Sequence, residues 1–265
     1  MSPEKFSNEK NKRSENKTMA VAQNISCSHC GAPVDFKPGE IVATCKYCGF
    51  TTVIETGKAF TFEHSVLPNR YSPEQMETYI RDWMSSGFMK PNDLAKKSKI
   101  IEKNLTYLPF WIVSAEASTT YKGIFERIAP PIVKEGDIKK QYNWLVLARQ
   151  ASDFPTRSYD IPLEGKVPYD FRKIEGFAKL LNSEMERDQA LTTAQQQIDT
   201  HHRFLLQQDV DRIIEANTTL TLKQMVYLHA PVWFIKYEYK GNLYQIIIDG
   251  AKGMVLKGDI PNRKF

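Results

Sequence analysis

Four cysteines, Cys27, Cys30, Cys45 and Cys48, are the only ones in the 265-residue chain. They fall as two C-x-x-C pairs separated by fourteen residues. Thiolates at i and i+3 can face one ion across a tight turn, and two such turns close a tetrahedron around a single Zn²⁺. A glycine follows each pair, Gly31 and Gly49, where a positive φ lets nearby amides face the sulfurs. Residues 33–36 and 40–44 read as short strands about the turn Lys37-Pro38-Gly39, and residues 51–55 as a third. Knuckle, hairpin, knuckle, strand is the build of a zinc ribbon, here residues 25–58. The gap is one residue short of the usual ~15–20.

Two other uses of these cysteines compete with the metal. Disulfides need an oxidising compartment, and residues 1–24 hold no apolar h-region of a secretory signal. A dithiol redox pair would not require two matched glycine knuckles. Four protein ligands fill a tetrahedral shell and leave no position for water, so the expected cofactor is one structural Zn²⁺. His29, inside the first knuckle, is expected to face solvent.

The rest of the chain is sufficient for a sizeable core: 42 % of residues are hydrophobic. No run approaches the ~18 apolar residues of a membrane-spanning helix, so a cytoplasmic location is expected. The charge is nearly balanced, with 36 basic and 31 acidic residues. Nucleic-acid binders usually carry a denser basic stripe.

Residues 1–24 are Lys, Glu, Asn and Ser with little to bury and read as a disordered tail. The body, residues 59–265, opens with a strand over 59–67. Ser72-Pro73-Glu74-Gln75 then signals a helix start, with Ser72 as N-cap, Pro73 at the first position and Gln75 closing a capping box. Met76, Tyr79, Ile80, Trp83 and Met84 follow at helical spacing to a stop at Gly87.

Two later segments echo each other. Pro109-Phe110-Trp111-Ile112-Val113 matches Pro231-Val232-Trp233-Phe234-Ile235, and each leads to Tyr-Lys-Gly, at 121–123 and 239–241, read as turns. Proline lacks an amide donor, so a strand start or sheet edge is expected at both prolines. The second copy continues as a meander: residues 233–239, a turn at Lys240-Gly241-Asn242, a return over 243–248, then a turn into 254–256. Residues 142–148 add a strand to the first copy. Between the copies, Phe171, Ile174, Phe177 and Leu181 space as a short helix. Ser183-Glu184-Met185-Glu186 reads as a second capping box opening a helix to about Asn217. Its thin stripe of Met185, Leu191, Ala194, Ile198, Leu205 and Ile213 suits its own sheet, with a homodimer seam over residues 184–217 as the alternative. The fold class is therefore α+β: an N-terminal ribbon, then an antiparallel-sheet domain with a duplicated β unit and a helical insertion over about 170–217.

With the knuckles, the Pro-x-Trp repeats and the closing Tyr-x-Tyr-x-Gly and Asp-Gly-x-x-Gly hairpins, the chain resembles a loose prokaryotic family of uncharacterised zinc-ribbon proteins. Members join a ribbon similar to that of basal transcription factors to an α+β body. The resemblance spans most of residues 25–262 and implies Cys27, Cys30, Cys45 and Cys48 as ligands, with no further site residue. Some relatives are labelled helicase- or primosome-like, but no G-x-x-x-x-G-K-[S/T] phosphate loop occurs here.

Among the histidines, His29, His64, His201, His202 and His229, none forms H-E-x-x-H, and His201 and His202 would diverge by about 100° on a helix. No nucleophile elbow or dinucleotide fingerprint occurs, and the cysteines are committed to metal. The expectation is a non-enzymatic protein that recognises a protein partner. One alternative is nucleic-acid binding through the ribbon, Lys37, Lys46 and Lys58, with Tyr47 to stack. Another is an enzyme with its site between the two β units.

Overall fold

The computed structural model describes residues 25–37, 40–54, 63–87, 89–149, 154–156 and 159–262. The expected tail, the turn residues 38–39 and residues 55–62 lie outside them. In chain order come β1 (Ile25–Ser26), β2 (Pro33–Val34), β3 (Val42–Thr44), β4 (Thr51–Val53), β5 (Glu63–Val66), α1 (Pro73–Ser85) and α2 (Leu94–Lys97). Then follow β6 (Lys99–Phe125), β7 (Ile132–Leu147), β8 (Val167–Pro168), β9 (Lys179–Leu180), α3 (Arg187–Leu206), β10 (Arg212–Tyr239), β11 (Asn242–Asp249) and β12 (Val255–Gly258). Among the described residues no helix is long and apolar enough to cross a membrane.

The body is a large, mostly antiparallel sheet built on two very long strands, β6 and β10, paired from Glu238↔Lys99 to Arg212↔Ile124. β7 extends the β6 side and β11 with β12 the β10 side. Two short strands add in parallel, β5 to β10 and β9 to β6. Alternation along the pleat sends Trp111, Val113 and Tyr227 to one face beneath α3, and Trp233, Ile235 and Tyr237 beneath α1 on the same face. Leu108, Phe110, Leu228, Ala230 and Val232 fill the other face against Phe154, Tyr159 and Ile161. The seam between the two units is thus packed core.

The Pro-x-Trp echo belongs to a larger repeat. Rotation of Pro109 onto Pro231 exchanges the register pairs Tyr107↔Pro231 and Pro109↔His229, so a pseudo-twofold axis runs through the centre of the β6–β10 ladder. Hydrogen bonds repeat about it. Ala148 N donates to Pro109 O and Gly250 N to Pro231 O; Leu181 N donates to Tyr107 O and Leu67 N to His229 O; Glu184 N donates to Ala148 O and Arg70 N to Gly250 O. Pro73 follows Leu67 at the spacing with which Arg187 follows Leu181, and both helices open with a capping box, Ser72/Gln75 and Glu186/Gln189. Each unit is strand, helix, long strand, hairpin strand.

The prolines therefore sit mid-strand, not at a strand start or edge as expected. Pro109 lies in the gap between β9, ending at Tyr107↔Leu180, and β7, starting at Phe110↔Leu147. Pro231 lies in the matching gap between β5 and β11. No ladder partner there is left wanting an amide.

Other expectations need correction. Tyr121-Lys122-Gly123 is no turn but continues β6, where Gly123 lets Val210 approach: a Cβ would lie 2.7 Å from Val210 Cγ2. Tyr239-Lys240-Gly241 does turn, with φ of 51° and 79° at Lys240 and Gly241, the type I′ signature of a two-residue hairpin. The helix expected over 171–181 is a single 3₁₀ turn, Phe171–Lys173, followed by β9, because Gly176 interrupts the run and β6 supplies a ladder. Ser183 does not open α3; its hydroxyl accepts from Met185 N and bonds to the Ala148 carbonyl. The helix runs only over Arg187–Leu206, and residues from Arg212 join β10. Its stripe is Ala190, Ala194, Ile198, His202 and Leu206, buried against the chain's own sheet, so the thin seam is already covered.

Candidate metal centre

Each knuckle is a closed turn. Gly31 N donates to Cys27 O at 2.8 Å and Gly49 N to Cys45 O at 2.9 Å; Cys27 N bonds Ala32 O and Cys45 N bonds Phe50 O. Gly31 and Gly49 have φ of 72° and 75°, as their positions required. The hairpins β1–β2 and β3–β4 carry the turns, and all four Sγ atoms lie within 4.8 Å of one another. Cys27 and Cys48 Sγ are 3.6 Å apart, Cys30 and Cys45 Sγ 3.7 Å. Metal–sulfur bonds of about 2.3 Å in a tetrahedron put sulfurs about 3.8 Å apart, whereas a disulfide needs about 2.05 Å. The four cysteines are free. They fit one metal ion.

Electrostatics point the same way. Burial opposes ionisation of Cys27, but the Cys30 and His29 amides and the Cys48 and Cys30 sulfurs outweigh it and bring its pKa down to about 7. Burial together with the neighbouring sulfurs pushes Cys48 up to about 12. Cys45 is raised too, first by burial. Four thiolates at this separation need a cation between them. His29 is exposed and stacks on Phe50 at 5.4 Å, outside the sulfur set.

The cysteine unit is bedded in the body. Val42 and Val53 belong to the same buried cluster as Trp111, Tyr227, Ala190 and Ala194. Ile41 N and Val42 N both donate to Ser183 O, at 2.9 and 3.1 Å, and Thr44 N donates to Asn182 Oδ1. Glu40, with a side chain only 3 % exposed, accepts from Arg149 Nη1 at 3.0 Å and from Asn182 Nδ2 at 2.9 Å. Arg149 also reaches Glu184 at 3.0 Å.

Gly49 packs against the ring of Tyr169, and a Cβ there would lie 2.6 Å from Tyr169 Cδ1, whereas one at Gly31 meets nothing within 4 Å. Alanine at either position carries the strain of a left-handed backbone, about 1–2 kcal/mol. G49A adds a clash worth about 1–3 kcal/mol. Thermal melts of the metal-saturated variants should therefore rank G49A well below G31A; equal midpoints would contradict the packing.

A histidine pair completes the seam. His229 Nε2 donates to Leu181 O at 2.9 Å, so Nδ1 accepts from His64 Nε2 at 2.9 Å, and His64 Nδ1 lies 3.3 Å both from Thr51 Oγ1, which can donate to it, and from the Gly49 carbonyl. Both rings are satisfied while neutral. Tyr169 stacks on His64 at 4.1 Å. Burial pushes His229 down to about 4, and burial with the facing His229 lowers His64. A folded value below the unfolded ~6.5 means this stabilisation is complete above pH 6.5 and is lost as pH falls through about 4. Ring ¹⁵N shifts should show neutral Nε2–H tautomers for both at pH 6; a charged ring there would contradict the network.

The sequence singled out the four cysteines that the fold brings together and the exposed His29, but not the seam. Glu40 with Arg149, and His64 with His229, are joined across more than a hundred residues, and no local pattern marks them. His201 and His202 both lie against the Tyr142 ring, 6.4 Å apart: His202 is buried, bonding Thr119 Oγ1 at 2.6 Å and Tyr142 OH at 3.0 Å, while His201 also lies beside Trp144. A cavity of about 130 Å³ is lined by Leu67, Pro68, Arg70, Pro162 and Lys252 and by none of the cysteines or histidines. No family model, curated protein or solved structure matches the chain.

Proposed function

We propose that the chain is a member of the uncharacterised prokaryotic zinc-ribbon proteins it resembles, with one structural Zn²⁺ held by Cys27, Cys30, Cys45 and Cys48. Its role in this reading is non-enzymatic recognition of a protein partner in the cytoplasm. The observation that carries the reading is the division of the cysteine unit into two sides. Val42 and Val53 are buried against the body, while His29, Cys30, Lys46, Tyr47 and Cys48 are exposed, Tyr47 at 72 %. A metal-stapled knuckle presenting a projecting tyrosine is a rigid contact with little ordering to lose on binding. The test is affinity purification from the native cell with wild type and a His29→Ser/Tyr47→Ser variant. A stoichiometric protein captured by the first and lost by the second supports the reading; identical captures refute it.

Nucleic-acid binding remains the second reading because the same exposed Tyr47 could stack on a base. Lys46 is held 2.8 Å from Asp35, which reduces the positive field beside it. Affinity for single-stranded DNA or RNA that falls steeply with salt would favour this reading. No binding at low salt would remove it.

A further inference from the structure

The tip of the β6–β7 hairpin carries an apolar stretch that the metal centre does not explain. The ladder ends at Phe125↔Ile132, and residues 126–133 are all exposed. Ile128-Ala129-Pro130-Pro131-Ile132-Val133 contains no charged or hydrogen-bonding side chain, and Arg127 and Lys134 flank it. Ile128 is 51 % exposed, Ile132 40 % and Val133 57 %. So concentrated an apolar patch at the tip of a hairpin is unusual on a protein surface and marks a contact.

We propose that this tip inserts into a lipid bilayer surface and attaches the protein to it reversibly. Three features favour a bilayer over a protein groove. Ile132 pairs with Phe125 and Val133 with Ile124, so adjacent apolar side chains project from opposite faces of the ribbon. A wedge apolar on both faces suits a fluid hydrocarbon layer, whereas a groove reads one face. Pro130 and Pro131 lack amide donors, which removes two polar groups that hydrocarbon cannot satisfy. A cation stands behind the tip: Lys134 Nζ lies 3.9 Å from the Phe125 ring centroid, while the Arg127 guanidinium, 5.2 Å from it, is paired with Asp211. A long basic side chain such as Lys134 can reach headgroups from that depth while its stem stays in apolar surroundings.

The tip is also firmly mounted. Arg127 donates to Asp211 Oδ1 and to the carbonyls of Gln207 and Gln208, and Glu126 N donates to Asp211 Oδ2, tying its base to the connection between α3 and β10. A few apolar side chains give weak attachment, comparable to one acyl chain and therefore reversible.

The full chain is sedimented with vesicles of phosphatidylcholine containing a quarter phosphatidylglycerol, beside an Ile128→Asp/Val133→Asp variant. Both positions are exposed, so the variant should keep the wild-type thermal midpoint. Wild type should pellet with the vesicles, and the variant should lose partitioning by about tenfold or more. In an Ile128→Trp protein, tryptophan emission should shift blue on addition of the same vesicles. Wild type remaining in the supernatant at lipid excess would overturn the proposal and leave the tip as a protein contact. Equal pelleting of the variant, or emission unmoved by lipid, would also overturn it.

Discussion

Cys45→Ser is expected to empty the metal centre and to loosen the body as well as the knuckles. Cys45 is fully buried and closes the second turn, from which β4 carries Val53 into the core and Gly49 reaches Tyr169. Three thiolates with a hydroxyl bind far more weakly than four, and a closed zinc site contributes folding free energy directly, about 10–16 kcal/mol in isolated zinc fingers. Much of that is absorbed in ordering the two turns. What reaches the body is the uncovering of Val42 and Val53, about 1.5–3 kcal/mol for each buried side chain. The variant should co-purify without metal, melt well below wild type and expose Trp111 to solvent quenchers. Full metal content with an unchanged melt would remove the centre from the account.

Arg149→Met should be nearly as damaging, although it touches neither sulfur nor helix. It leaves the Glu40 carboxylate, 3 % exposed, with Asn182 Nδ2 and Lys37 N as its neighbours and no opposing charge. Breaking a buried pair from one side costs about 3–5 kcal/mol, whereas neutralising both partners is far milder. Arg149 is itself 18 % exposed, so the lower end is expected, about 3 kcal/mol in denaturant titration. Adding Glu40→Gln should recover part of the loss, giving a coupling above about 1 kcal/mol in the double-mutant cycle. A single variant within about 0.5 kcal/mol of wild type, the range of an ordinary surface change, would show that the seam is not held as described.

Features set by local chemistry were legible in the sequence. Two C-x-x-C-Gly turns, Ser72-Pro73-x-Gln75 and Lys240-Gly241 each act within a few residues, and each appears where expected. The ends of α3 were not legible. Leu205 and Ile213 continue a helical spacing, and neither Gly nor Pro separates Leu206 from Arg212. What ends the helix is the pairing of residues from Arg212 onward with β6. A signal was present in Thr218-Thr219-Leu220-Thr221-Leu222, whose β-branched alternation suits a strand. The Pro-x-Trp echo was visible, but its extension to the short parallel strands and helices depended on backbone hydrogen bonds that no residue pattern encodes. The docking seam was silent for the same reason, since its partners meet only after the sheet is assembled.

The most direct test is zinc-edge X-ray absorption of the purified full chain together with its metal content. One zinc per chain, with four sulfurs at about 2.3 Å and no lighter atom in the first shell, is the predicted result. A shell containing oxygen or nitrogen, or a metal-free protein with its cysteines joined in pairs, would contradict a closed metal staple docked on this sheet.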